Sequence, residues 1–195
     1  MGEPIRTFIA IELNDALHHA LGEVQHRLQR EPAARLIRWV APSSIHITLK
    51  FLGDVEANQL PALHDALVKA CEDTPPFVLT LAGLGAFPNT KRPNNLWVGA
   101  TGHVEVAAQL AQKIDAACTA LGFPRETRPF TTHLTLGRVK KDVSPSERAS
   151  IGAMVEAMRV NALGDLRVDH VSVMKSELRP RGSVYTRLYA IELYA

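Results

Sequence analysis

The stretch Ile45-His46-Ile47-Thr48-Leu49-Lys50-Phe51-Leu52-Gly53 alternates without a break: Ile45, Ile47, Leu49 and Phe51 share one parity, and His46, Thr48 and Lys50 share the other. Alternation of this length, bounded by Pro42-Ser43-Ser44 and Gly53-Asp54, predicts a half-buried strand. Side chains two residues apart on a strand share a face, about 6.5 Å apart. One face therefore packs a core, Phe51 included. The other presents an imidazole, a hydroxyl and an ammonium in a row. An echo follows 87 residues later in Thr132-His133-Leu134-Thr135-Leu136-Gly137-Arg138, again with His and Thr on one face and Leu134 and Leu136 opposite. That separation is too long for a local motif and suits two halves of one domain.

The rest of the chain is read outward from these two strands. Before the first lie a β-rich segment, Thr7-Phe8-Ile9-Ala10-Ile11-Glu12-Leu13, and the N-capping pair Asn14-Asp15. Leu17, Leu21, Val24 and Leu28 then mark an amphipathic helix over 15–30, with His18, His19 and His26 off its stripe and expected to be solvated. Leu36-Ile37-Arg38-Trp39-Val40 reads as a short strand. After the first motif, Leu60, Leu63, Leu67 and Cys71 mark a second helix, with His64 at its border. A strand over 77–81 precedes a Gly-, Pro- and Asn-rich stretch, 83–95, which reads as a long loop. Leu96-Trp97-Val98-Gly99 is a strand, and Ala107, Ala111, Ile114, Cys118 and Leu121 give a third helix stopping at Gly122. His103 precedes it in a surface turn. Ser144-Pro145-Ser146-Glu147 is a capping box with proline at the first helical position. Strands over 166–174 and 184–194 flank the turn-prone Arg179-Pro180-Arg181-Gly182, and His170 reads as structural. The mixture lacks steady β-α alternation and predicts an α+β fold with helices on largely antiparallel sheets. Ala10-Ile11-Glu12-Leu13 recurs as Ala190-Ile191-Glu192-Leu193, which fits two related halves.

Composition narrows the class. The chain has 195 residues, 46% hydrophobic and 22% charged, with formal net charge +2, so bulk charge does not hold it to nucleic acid. Its cations instead gather around the motifs: Arg35, Arg38 and Lys50 near the first, Arg125, Arg128, Arg138, Lys140 and Lys141 near the second. That favours an anionic ligand there. Cys71 and Cys118 sit on apolar helix faces and read as small core residues. There is no membrane-span pattern or signal-peptide pattern, and Arg6 spoils the myristoylation pattern of Met1-Gly2, so a cytoplasmic protein is expected.

Two imidazoles across a cleft suit a reaction that needs a general base and a general acid on opposite sides of one centre. In-line displacement at phosphorus has that geometry. One histidine takes a proton from water and the other gives one to the leaving oxygen. Thr48, Thr135 and a nearby cation hold the charge on the non-bridging oxygens. A zinc site would need three or four ligands in short spacings, and each motif offers one histidine, so no metal or other cofactor is expected. Lys50 has the parity to reach the site. Arg138 does not by strict alternation, but a bulge at Gly137 would turn it back.

His46-Ile47-Thr48-Leu49 and His133-Leu134-Thr135-Leu136 resemble the paired motifs of the two-histidine (2H) phosphoesterases, and more closely the RNA 2′,3′-cyclic phosphodiesterases, formerly called 2′-5′ RNA ligases. Arg38-Trp39-Val40, Gly85-Ala86-Phe87-Pro88 with Leu96-Trp97-Val98-Gly99, and Ser176-Glu177-Leu178-Arg179-Pro180 resemble further blocks of that family. The resemblance implies a bilobal α+β fold, with mostly antiparallel sheets flanked by helices around a central cleft. It also implies one two-lobed catalytic domain over 1–195 that opens RNA terminal 2′,3′-cyclic phosphates to 2′-phosphomonoesters. His46 would be the proton donor, His133 the acceptor, and Thr48, Thr135 and Arg138 phosphate contacts. The expected partners are RNA ends or nucleotides with 2′,3′-cyclic phosphate, for a monomer without membrane attachment. Trp39, Phe130 and Tyr185 are candidates for base stacking, although core packing explains any one of them as well. The rival readings are 2′-5′ ligation in the same cleft and an RNA-binding module without turnover.

Overall fold

The two periodicities of the chain sort its residues onto one sheet and one layer of helices. The computed structural model describes residues 3–179 and 182–194. Met1-Gly2 and the centre of the expected turn, Pro180-Arg181, lie outside the described residues. The strands are β1 (Ile5–Ile11), β2 (Ile37–Trp39), β3 (Ile47–Val55), β4 (Phe77–Phe87), β5 (Asn95–Gly102), β6 (His133–Val139), β7 (Gly164–Val168), β8 (His170–Arg179) and β9 (Gly182–Glu192). The helices are α1 (Asp15–Gln29), α2 (Leu60–Cys71), α3 (Val104–Ala120) and α4 (Pro145–Ala157), with short 3-10 turns at Pro32–Leu36, Pro42–Ser44 and Ala57–Gln59. The sheet runs β7-β4-β5-β6-β3-β1-β8-β9, with β2 set beside β6, and its pairings are antiparallel.

This order divides the sheet into two halves of four strands, each ending inward on a motif strand. β3-β1-β8-β9 comes from the two ends of the chain, and β6-β5-β4-β7 from its middle. The expected α+β architecture is the observed one. All four helices lay their apolar stripes on one side of the sheet, where Leu21, Leu28, Leu63, Leu67, Leu110, Ile114 and Ile151 are fully buried with Ile9, Ile47, Leu96 and Leu134. The other face is left to the histidines.

Local signals act where the sequence places them. Asn14 caps α1 by accepting from the Leu17 N–H at 2.9 Å. Ser144 and Glu147 form the full capping box at α4, with Pro145 at its start. Burial pushes the thiols of Cys71 and Cys118 up to about 11, as expected of inert core residues.

Three expectations need correction. The stretch 83–95 is not one long loop: β4 continues to Phe87 through a bulge at Gly83, whose φ of +78° suits glycine. Only 88–94 connects β4 to β5. The segment read as one strand over 166–174 is divided between β7 and β8. Finally, His18 is half-buried rather than solvated. Its Nε2 lies 3.1 Å from the Ile45 carbonyl, so α1 grips the chain just before the first motif.

Candidate active site

β3 and β6 touch through a single bridge, Ile47 opposite Leu134, both fully buried on the core side. Antiparallel register one step either way sets Thr48 across from His133 and His46 across from Thr135. All four side chains then share the face turned away from the helices, where they are half-buried. Directly opposed residues in an antiparallel pair have Cβ atoms about 5 Å apart, and diagonal ones, the positions His46 and His133 take about the bridge, on the order of 7 Å.

The two histidines are held alike. His46 Nδ1 lies 2.9 Å from the carbonyl oxygen of Ser44, and His133 Nδ1 lies 2.7 Å from that of Thr131. A carbonyl only accepts, so each Nδ1 carries the proton and donates it. Each Nε2 is thereby the nitrogen free to exchange a proton with a ligand.

Both motif strands then break their own alternation, at matching places. β1 pairs Ala10 with Thr48 but Ile9 with Lys50, so Leu49 is an extra residue. β5 pairs Trp97 with Thr135 but Leu96 with Gly137, so Leu136 is extra in the same way. A bulge reverses the parity of everything after it. The expected bulge near Gly137 therefore exists, and Arg138 stands on the histidine face.

The same device overturns two expectations in β3. Lys50 turns to the helix side, where its Nζ donates to Asp115 at 2.5 Å and to the Pro124 carbonyl at 2.7 Å, with only 3% of the side chain exposed. It is a structural ion-pair partner and not a phosphate ligand. Phe51, expected in the core, turns onto the groove face and is 66% exposed.

Aromatic rings flank both imidazoles. Phe8 stacks on His46 at 4.7 Å between ring centroids, and Tyr185 meets it edge-on at 5.2 Å. Phe87 meets His133 edge-on at 4.9 Å and leans on Trp97 at 5.3 Å. Of the three stacking candidates, Tyr185 alone reaches a motif histidine. Trp39 and Phe130 pack against the main core instead, Trp39 because it shares the parity of buried Ile37. Phe8, Phe51, Phe87 and Trp97 were missed as site residues. Phe8 carries the one available signal, a run apolar at both parities in β1, which marks a strand covered on both faces.

The surroundings also set charge. Burial holds the His46 pKa below its ordinary value, and the Arg138 guanidinium and His133 add to that effect. The Ser44 carbonyl and Glu12 oppose it. Glu12, the residue after β1, accepts from Arg187 Nε at 2.7 Å and from Ser172 Oγ at 2.5 Å, so its carboxylate is fixed beside His46. Among the described residues, no group of three or more His, Cys, Asp or Glu is arranged to hold a metal ion.

Known proteins share this architecture. The family model of LigT-like phosphoesterases matches the chain twice, over 11–97 and 98–185, one copy for each motif. The chain belongs to the LigT-like phosphoesterases. Similar LigT-like relatives include the RNA 2′,3′-cyclic phosphodiesterase of Methanothermobacter thermautotrophicus, 30% identical over 97% of this chain and 99% of that one. The Archaeoglobus fulgidus protein of the same name is 29% identical over 96% and 100%. Among solved structures, E. coli LigT complexed with 3′-AMP superposes with a TM-score of 0.77 at 25% identity, covering 99% of this chain and all of that one. A Thermus thermophilus protein gives 0.77 at 27%, covering 97% and 98%. Each matched segment contains one motif strand of the central bridge, β3 in 11–97 and β6 in 98–185, while β4 and β8 cross over, each into the half of the sheet that holds the other segment's motif strand.

Proposed function

We propose that residues 1–195 form one two-lobed catalytic unit, a monomer of the cytoplasm, that hydrolyses the 2′,3′-cyclic phosphate at RNA ends to a 2′-phosphomonoester without a metal ion. The observation that carries this reading is the meeting of two identically tethered imidazoles, each with a threonine two residues on, at the β3–β6 bridge. The names of the relatives support the phosphodiester substrate.

The cyclic phosphate sits between the rings, with its non-bridging oxygens on the Thr48 and Thr135 hydroxyls and the Arg138 guanidinium. His133 Nε2 takes a proton from water as the water oxygen bonds to phosphorus. The bond from phosphorus to the 3′ oxygen breaks in line, and protonated His46 Nε2 gives its proton to that oxygen. Afterwards His133 releases a proton to solvent and His46 regains one. A donor must be protonated, whereas burial pulls His46 toward neutrality. The anionic substrate supplies the missing counter-charge, so His46 is charged most readily when the groove is filled. Tyr185 and exposed Phe51 offer a base a stacking surface beside His46.

The test is product analysis on an oligonucleotide ending in a 2′,3′-cyclic phosphate. The wild type should give a 2′-phosphate, unaffected by EDTA, with a bell-shaped pH profile. His46→Ala and His133→Ala should each lose about a thousandfold in kcat while melting like the wild type. Wild-type-like turnover in either variant refutes the acid–base pair, and activity lost on chelation and restored by zinc refutes metal independence. A 5′-hydroxyl RNA in the same tube reads out 2′-5′ joining.

A further inference from the structure

Resting on that reading, we propose that Arg38 holds a second phosphate, the phosphodiester on the 5′ side of the terminal nucleotide, so that the groove prefers RNA strands to mononucleotides. The argument starts from register. β2 pairs with β6 so that Arg38 stands directly opposite Arg138, and both side chains are exposed. Because Arg138 shares the face of Thr135 after the bulge, Arg38 shares it too. Like charges directly opposed across a ladder destabilise it. Among the described residues, neither guanidinium has a hydrogen bond or an acidic partner to offset that repulsion. On its other side Arg138 faces uncharged Asn95. Beyond them Lys140 continues the positive track, its Nζ 2.6 Å from the Arg35 carbonyl. A bound anion is what turns such a pair from a cost into a gain.

Spacing fits the next phosphate of a strand. From Thr135, a contact of the reacting phosphate, to the level of Arg38 across from Arg138, the partner strand advances two residues, Trp97 to Asn95, which is roughly 6.5 Å. That is close to the distance between neighbouring phosphates along a nucleic-acid chain. The opposite flank differs: it carries uncharged Phe51 and Tyr185, and the carboxylate beside His46, Glu12, is already paired with Arg187. A phosphate leaving over that flank would meet aromatic rings and a carboxylate already paired with Arg187, whereas one leaving over β2 and β6 meets two arginines that have no acidic partner among the described residues. The close seating of β2 depends on Gly137. A Cβ there would come within 2.6 Å of Ile37 Cγ2 and 3.2 Å of the Arg38 carbonyl oxygen.

The experiment compares adenosine 2′,3′-cyclic phosphate with a trinucleotide ending in the same group, using wild type and Arg38→Gln. The trinucleotide should have the higher kcat/KM in the wild type. Arg38→Gln should lower it by about tenfold, the worth of one charged hydrogen bond, and change the mononucleotide by no more than about twofold. The salt slope for the trinucleotide should fall by roughly 0.7, as for one lost single-strand phosphate contact. A trinucleotide with a neutral methylphosphonate at the adjoining linkage should react equally with both proteins. Equal losses on both substrates, or no loss on either, overturn the subsite. Binding of the 2′-phosphorylated product trinucleotide, measured in parallel by titration calorimetry, reads the Arg38 contribution without turnover. Failure of the reaction assignment and failure of the subsite are therefore separate results.

Discussion

β3 and β6 make the same manoeuvre and end with different chemistry. In each, a histidine tethered through Nδ1 is followed by a threonine two residues on, then by an extra leucine that reverses the strand. The residue three places after the threonine thereby returns to the groove. It is Phe51 in one strand and Arg138 in the other. The position just before it turns to the core, and there β3 has Lys50 clasped to Asp115 while β6 has Gly137. Beside His46 stands Glu12, whereas the residue paired with His133 is Gly99, whose open side is filled by the Trp97 ring. A duplicated scaffold thus offers an aromatic side, where Glu12 is paired with Arg187, and a cationic side. The two histidines are alike in geometry and unlike in surroundings.

The sharpest break of that asymmetry is at its two matching positions. Arg138→Gln should cost about a hundredfold in kcat/KM on a cyclic nucleotide, because a charge-assisted contact to the reacting phosphate is lost. Phe51→Ala should cost about tenfold, mostly in KM, as expected for one lost stacking contact. Comparable losses expressed in kcat alone for both would erase the distinction between the flanks.

Glu12→Gln acts more gently and asks which histidine gives the proton. Removing this carboxylate lowers the His46 pKa further, so the acid limb of kcat/KM moves to lower pH. If His46 is the donor, fewer molecules hold it protonated and the plateau falls severalfold. If it is the acceptor, the plateau rises or stays. A pH–rate series on wild type and variant decides.

Lys50→Met should have the least effect on turnover and show itself in stability. Losing the partner of a largely buried carboxylate should cost about 2 kcal/mol, lowering Tm by about 6 °C, with kcat/KM held within about twofold. Burial alone would raise the Asp115 pKa, but Lys50 and the Glu126 N–H outweigh it and hold it below its ordinary value. The wild-type advantage is therefore full at neutral pH and is lost as pH falls through that depressed pKa.

Much of this was legible from spacing. Strict alternation at Ile45–Leu49 and Leu134–Leu136 put both histidines and threonines on one face, and the helical stripes and caps predicted all four helices. Alternation failed where it was followed too far. Nothing in Thr48-Leu49-Lys50-Phe51 announces an extra residue, because Leu49 is apolar whichever side it takes and bulges are set by the partner strand. The glycine in Leu136-Gly137-Arg138 did announce one. Phe87 and Trp97 were hidden for a different reason. They come from strands far along the chain, and only the assembled sheet lays them beside His133.

The tethers of the two imidazoles end on main-chain oxygens, those of Ser44 and Thr131. Every amino acid carries that oxygen, so the aim of each ring is indifferent to which side chains occupy 44 and 131. It depends instead on count. One residue added or removed between tether and ring would re-point Nε2, whereas point substitutions at those sites leave it trained on the same spot. Variation in spelling is cheap there, and variation in length is not.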